Sequence, residues 1–151
     1  MFLLEESRRE LVEACLGLGD VDMRIRPTAG EWCALEVLAH IPDVDRHYLH
    51  QALATRDQKQ CVFQYFDDES WKATHSDVAS LPLQRVLNKL KASHMEVLKA
   101  VEELESDDLV RAGVHPRRGR YTVREALLRM SDHDRNHARQ IQAIREALSK
   151  R

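Results

Sequence analysis

Eight histidines stand among 151 residues, and two of them, His133 and His137, are four apart. On a helix that spacing stacks both imidazoles on adjacent turns of one face. At this density about 0.4 such pairs arise by chance, so the pair gains weight only from its surroundings. Leu127 and Met130 precede it and Ile141 and Ile144 follow it, at steps of three and four. Both rings therefore face an apolar interior. A buried polar group without a partner costs roughly 1 to 3 kcal/mol, and one divalent ion satisfies both rings at once. His40, three residues after Val37 and four before Val44, borders a second apolar stripe. Three neutral imidazoles from two helices can hold a divalent ion and leave a position open to water or substrate, the mark of a catalytic rather than a structural site. The same spacing also fits His40 as a core histidine satisfied by a backbone carbonyl.

Other residues form a wider circle. His47 lies seven residues after His40 and shares its face, and His94 sits between Leu90 and Val97 as a core or supporting histidine. Asp43, Asp132 and Asp134 are carboxylates that could orient a ligand imidazole by accepting its second N–H. Arg46, Arg135, Arg139 and the run His115-Pro116-Arg117-Arg118-Gly119-Arg120 are cations suited to a carboxylate-bearing ligand or to a solvated surface. The HExxH pattern, paired ExxH motifs with inward glutamates, CxxCH and a glycine-rich phosphate loop are all missing from the sequence, which removes zincin, di-iron, covalent-haem and kinase readings based on them. No residue is assigned a catalytic role at this level.

Four segments of helical periodicity must position these side chains. They run from about Leu3 to Leu18, Ala34 to Thr55, Leu83 to Leu104 and Val123 to Leu148. Thr122 with Glu125 has capping-box spacing at the start of the last. Pro42 interrupts the second; it removes one backbone donor and predicts a bend near Leu38 to Ile41. Two long links remain. Arg56 to Ser80 carries Phe63, Tyr65, Phe66 and Trp71 and predicts a short helix near Asp67 to Thr74 that lays its aromatics over one end of the bundle, as core cover or facing a substrate. Glu105 to Tyr121 reads as a surface connection. Each helix has one apolar stripe that another must cover, so the expectation is an all-α four-helix bundle with long connections, one domain over residues 1–151.

Composition bounds the function. With 23 Lys and Arg against 25 Asp and Glu and a pI near 6.4, there is no broad positive field, which argues against nucleic acid as a partner. No stretch approaches the ~20 apolar residues that cross a bilayer, and Met1 to Glu10 lacks the basic start and apolar run of a signal peptide, so a cytoplasmic protein is expected. Cys15, Cys33 and Cys61 are widely spaced and read as free thiols.

Arg26-Pro27 with Gly30-Glu31-Trp32, Glu36-Val37-Leu38-Ala39-His40 with Asp43, and Gly119-Arg120-Tyr121-Thr122-Val123-Arg124-Glu125 leading into Asp132-His133-Asp134-Arg135-Asn136-His137 together resemble the DinB/YfiT-like family of metal-dependent enzymes. The resemblance covers nearly the whole chain. It implies a four-helix bundle, often dimeric, in which His40, His133 and His137 bind a divalent metal ion: Zn, Ni, Fe or Mn. It further implies a small-molecule substrate, with low-molecular-weight thiols such as glutathione, mycothiol or bacillithiol as the class, and S-transferase or isomerase chemistry. A metal-dependent hydrolase and a non-catalytic, stress-related metal-binding dimer are the alternatives. Pro42, two residues after His40, departs from a comfortable helical stretch and puts the direction of that ring in question.

Overall fold

The computed structural model describes residues 1–57 and 61–150. The four periodic segments form four long helices, linked by shorter elements in the order α1 (Phe2–Ala14), α2 (Ala34–Asp57), α3 (Asp68–Thr74), α4 (Leu83–Glu102), α5 (Ser106–Leu109), β1 (Ala112–His115), β2 (Gly119–Thr122) and α6 (Val123–Ser149). Thr122 caps α6: its hydroxyl accepts the Glu125 N–H at 3.1 Å, and the Glu125 carboxylate accepts the Thr122 N–H at 2.7 Å. Asp67 caps α3 by accepting the Ser70 N–H. α2 packs against α4 and α6, and α6 against α1. This is the four-helix bundle expected, and α3 lies where the aromatic link predicted a helix.

α2 continues through Pro42 without a break. His40 is fully buried, so the proline does not turn the ring outward. The flanking helices hold both sides of α2 and tolerate the lost backbone bond.

The link from Glu105 to Tyr121 is more than a surface connection. It contains α5 and an antiparallel hairpin in which Ala112 faces Thr122 and His115 faces Gly119. Segment Cys61–Phe63 adds to β1: Val114 N–H donates to the Cys61 carbonyl at 2.7 Å and Phe63 N–H to the Val114 carbonyl at 2.9 Å. Gly113 is required by this approach, because a Cβ there would lie 2.2 Å from the Cys61 oxygen. A strand of four residues has too short an alternation to be read locally.

The apolar interior falls into two parts. One gathers Leu11, Leu35, Leu38, Ile41, Val86, Leu90, Ile141 and Ile144; the other gathers Leu4, Val44, Tyr48, Phe63, Val97, Tyr121, Leu127 and Met130. Between them lies a polar layer. Arg8 of α1 donates to Asp134 of α6 at 2.8 Å and to both Asp45 oxygens of α2 at 3.0 Å. It also reaches the Leu90 carbonyl of α4, and Ser93 donates to Asp45 at 2.7 Å. One buried guanidinium thus touches all four long helices. The charges are kept because each is paired, although burial still pushes the Asp134 carboxyl up to about 6 against the pull of Arg8. His40, His133 and His137 belong to the same layer.

Candidate metal centre

α2 and α6 bring His40, His133 and His137 to one point. Nε2 of His137 lies 3.1 Å from Nε2 of His40 and 3.2 Å from Nε2 of His133. Three ligand atoms, one per ring, lie within 4.8 Å of one another. Four-coordinate binding at ~2.0 to 2.1 Å per bond separates ligand nitrogens by about 3.3 to 3.4 Å, so the triad is close to that spacing without rearrangement.

The hydrogen bonds behind the rings orient them. His40 Nδ1 donates to the Val37 carbonyl at 2.5 Å. A carbonyl only accepts, so the proton is on Nδ1 and Nε2 carries a bare lone pair. His137 Nδ1 donates to Gln140 Oε1 at 2.7 Å, and its Nε2 is bare for the same reason. Two lone pairs therefore face each other at 3.1 Å, an arrangement that requires a cation or a proton between them. His133 Nδ1 is buried without a hydrogen-bond partner. Protonation is opposed: burial, reinforced by the neighbouring rings, pushes His40 down to about 3 and His133 to about 2, and burial lowers His137 as well. Neutral imidazoles with converging lone pairs fit a divalent ion.

The walls come from the loops. Trp32 packs edge-on to His40 at 4.9 Å between centroids, Trp71 does so at 5.7 Å, and Phe66 lies at 6.5 Å. Trp32 and Trp71 stack on each other, and Trp71 Nε1–H donates to Asp43 at 2.8 Å. The aromatics of the long link thus serve the histidine centre through Phe66 and Trp71, whereas Phe63 fills the core and Tyr65 packs on His115. At the N-terminus of α2, Glu36 accepts the Cys33 N–H at 2.9 Å and pairs with Arg26, fixing the segment that carries Trp32.

Several wider candidates take other roles. None of the three aspartates hydrogen-bonds a ligand ring: Asp134 is held by Arg8, Asp43 by Trp71 and Arg46, and Asp132 is exposed. The orienting acceptors are instead a backbone carbonyl and Gln140, an amide three residues after His137 that the carboxylate rule passes over. His47 Nε2 donates to the Gln64 carbonyl at 2.8 Å, away from the triad. His94 is partly buried on α4, and burial lowers its pKa. Arg135 pairs with Glu6 and Glu10.

Asp68 is a residue that spacing did not single out. Its Oδ1 lies 3.8 Å from His40 Nε2 and is buried with no hydrogen-bond partner, and burial raises its pKa. It stands in the first turn of α3, where acidic residues are ordinary, so only the fold distinguishes it. Cys15, Cys33 and Cys61 are free, and among the described residues no helix is long and apolar enough to cross a membrane.

Comparisons with known proteins agree with this architecture. The uncharacterized protein YuaE of Bacillus subtilis (strain 168) is 21% identical over 166 residues, covering 99% of each chain. YfiT from Bacillus subtilis, described as a probable metal-dependent hydrolase with an unusual four-helix bundle topology, superposes with a TM-score of 0.80 at 18% identity, over 97% of this chain and 84% of that one. The four-helix bundle protein TT2238 gives 0.67 at 20% identity, over 93% and 94%. A mycothiol-dependent maleylpyruvate isomerase gives 0.74 at 13% identity, over 93% of this chain and 58% of that longer one. The model of the DinB superfamily matches residues 3–141, nearly the whole bundle and all three converging histidines, and the chain belongs to that superfamily.

Proposed function

We propose that the chain is a metal-dependent enzyme in which His40, His133 and His137 hold one divalent ion and a low-molecular-weight thiol is the nucleophile. The observation that carries this reading is the pair of bare Nε2 lone pairs facing each other at 3.1 Å in a buried site. His40, His133 and His137 would hold a divalent ion, whose Lewis acidity would favour the reactive, deprotonated form of a thiol at neutral pH. The residues around it divide the remaining work. Val37 and Gln140 fix the ring orientations, and Trp32, Phe66 and Trp71 exclude water from one side. The buried Asp68 Oδ1 takes up the proton that the thiol gives up. Attack on an electrophilic carbon then forms the C–S bond as the leaving group departs. The description of one structural neighbour as mycothiol-dependent is consistent with a thiol.

A second reading, hydrolysis, is favoured by the same Asp68 oxygen. An unpartnered acceptor 3.8 Å from His40 Nε2 is placed to take a proton from a water that a divalent ion held by the histidines would acidify, and YfiT is described as a probable metal-dependent hydrolase.

The test proceeds in two steps. Protein purified without a histidine tag is analysed for metal; less than about 0.1 equivalent, with none rebinding on addition of Zn, Ni, Mn or Fe, overturns both readings. With metal bound, loss of 1-chloro-2,4-dinitrobenzene is followed with and without thiol, beside ester hydrolysis. Thiol-dependent turnover that falls in Asp68→Asn, with metal retained, supports the transferase. Thiol-independent ester cleavage supports the hydrolase. Metal without either activity leaves a binding protein.

A further inference from the structure

One turn from the histidine centre, a cavity of about 80 Å³ opens among Tyr48, Tyr65, His115, Arg118, Tyr121 and Arg129. Its charge is one-sided. Among the described residues the side chains of Arg117, Arg118 and Arg129 make no hydrogen bond and no ion pair, unlike Arg8, Arg24, Arg26 and Arg135. Arg117 lies over the Tyr65 ring at 5.5 Å and Arg118 over Tyr121 at 5.9 Å. His115 Nδ1 accepts the Arg117 N–H at 3.2 Å, which places the ring proton on Nε2 as a further donor. Burial and the fields of Arg118, Arg117 and Arg129 lower the His115 pKa, and no carboxylate lines the cavity, although Glu125 and Asp68 feel Arg118 and Arg129 from outside it. Tyr48 is buried, and its hydroxyl makes no hydrogen bond among the described residues. Guanidinium forks, an imidazole N–H and a phenol around one small space form a donor set for an oxyanion.

The position links this cavity to the centre. Arg129 is one turn before His133 on α6, about 6 Å along the axis, and Tyr48 is two turns after His40 on α2, about 12 Å. Arg129 is also within electrostatic reach of His133, His137 and Asp68. The strip from Phe63 through Phe66 to Asp68 runs between the two, since Tyr65 lines the cavity while Phe66 and Asp68 face His40. A space of this volume admits a carboxylate or phosphate group and leaves the rest of a molecule outside it.

We propose that this cavity is the subsite for a terminal oxyanion, carboxylate or phosphate, of the molecule whose reactive end lies at the histidines. The assignment of that reactive end rests on the function proposed above; the oxyanion site itself does not. The experiment is calorimetric titration of the full chain with succinate and, separately, with inorganic phosphate, each up to about 50 mM. Saturable one-to-one binding of at least one anion is expected. It weakens about tenfold in Arg129→Gln and in the exposed Arg118→Gln, and is unchanged in Arg139→Gln on the far part of α6. Stronger binding of succinate assigns a carboxylate, and of phosphate a phosphate. Absence of saturable binding by both, or wild-type binding in Arg118→Gln, overturns the proposal, because Arg118 lines the cavity and an anion seated at the histidines would not depend on it. Metal content is measured on the same samples, so failure of the metal reading is seen separately from failure of the oxyanion site.

Discussion

Nε2 of His40 lies 3.1 Å from Nε2 of His137, and each ring has committed its Nδ1 proton to an acceptor in its own helix, the Val37 carbonyl for one and Gln140 for the other. The lone pairs meet because their back sides are anchored. Gln140→Leu removes one anchor while keeping the volume, and metal affinity is expected to fall about 10- to 100-fold. Competition with a chromophoric chelator measures it. Affinity within twofold of wild type would show that His137 needs no such support.

Metal-free protein should lose stability as pH falls below about 6.5. The three imidazoles are neutral in the fold, with pKa values lowered to about 3 for His40, about 2 for His133, and lowered for His137, whereas unfolded histidines take up protons near 6.5. Asp134 opposes this, since its folded pKa of about 6 exceeds the unfolded value. Between about pH 4 and 6 His40 and His133 leave the unfolded chain with about two more protons and Asp134 takes back about one, while His137 adds to the excess in the unfolded state, so stability rises with pH by roughly 1.4 kcal/mol per unit per proton. Urea midpoints after chelation follow the trend. A midpoint that is flat or rises on acidification would contradict it.

Arg8→Met leaves Asp45 and Asp134 buried without their cation. A loss of about 3 to 5 kcal/mol is expected, read from urea denaturation with the slope unchanged. Adding Asp45→Asn and Asp134→Asn should recover part of it. A single-variant loss under about 1 kcal/mol would mean that the guanidinium is not what holds the polar layer together.

Gly113→Ala places a methyl 2.2 Å from the Cys61 oxygen and 3.1 Å from Phe63 Cε2. Segment Cys61–Phe63 must move off β1, at a cost of about 1 to 3 kcal/mol. Amide exchange at Phe63 and Val114, which bond across this junction, should accelerate while amides in α6 keep their protection. Unchanged exchange at both would show that the strip is anchored elsewhere.

The four helices were legible in the sequence because each carries its own stripe: Leu90 and Val97 on α4, or Met130 and Ile141 on α6, report burial at steps of three and four whatever the partner. The cap at Thr122 is equally local. His133 and His137 share a face by helix geometry alone, and His40 borders a seam by the same rule, so the triad could be named from spacing and resemblance. Whether His40 and His137 meet depends on how α2 lies on α6 across Pro42, and that follows from packing. The orienting roles of Val37 and Gln140, the approach of Asp68, the pairing of Asp134 with Arg8 instead of a histidine, and the hairpin joined by Cys61–Phe63 all connect residues far apart in the chain or depend on which way a side chain turns. Periodicity records only that a residue is turned inward; which groups it then meets, and which buried polar atoms are left without a partner, is decided when the helices close on one another.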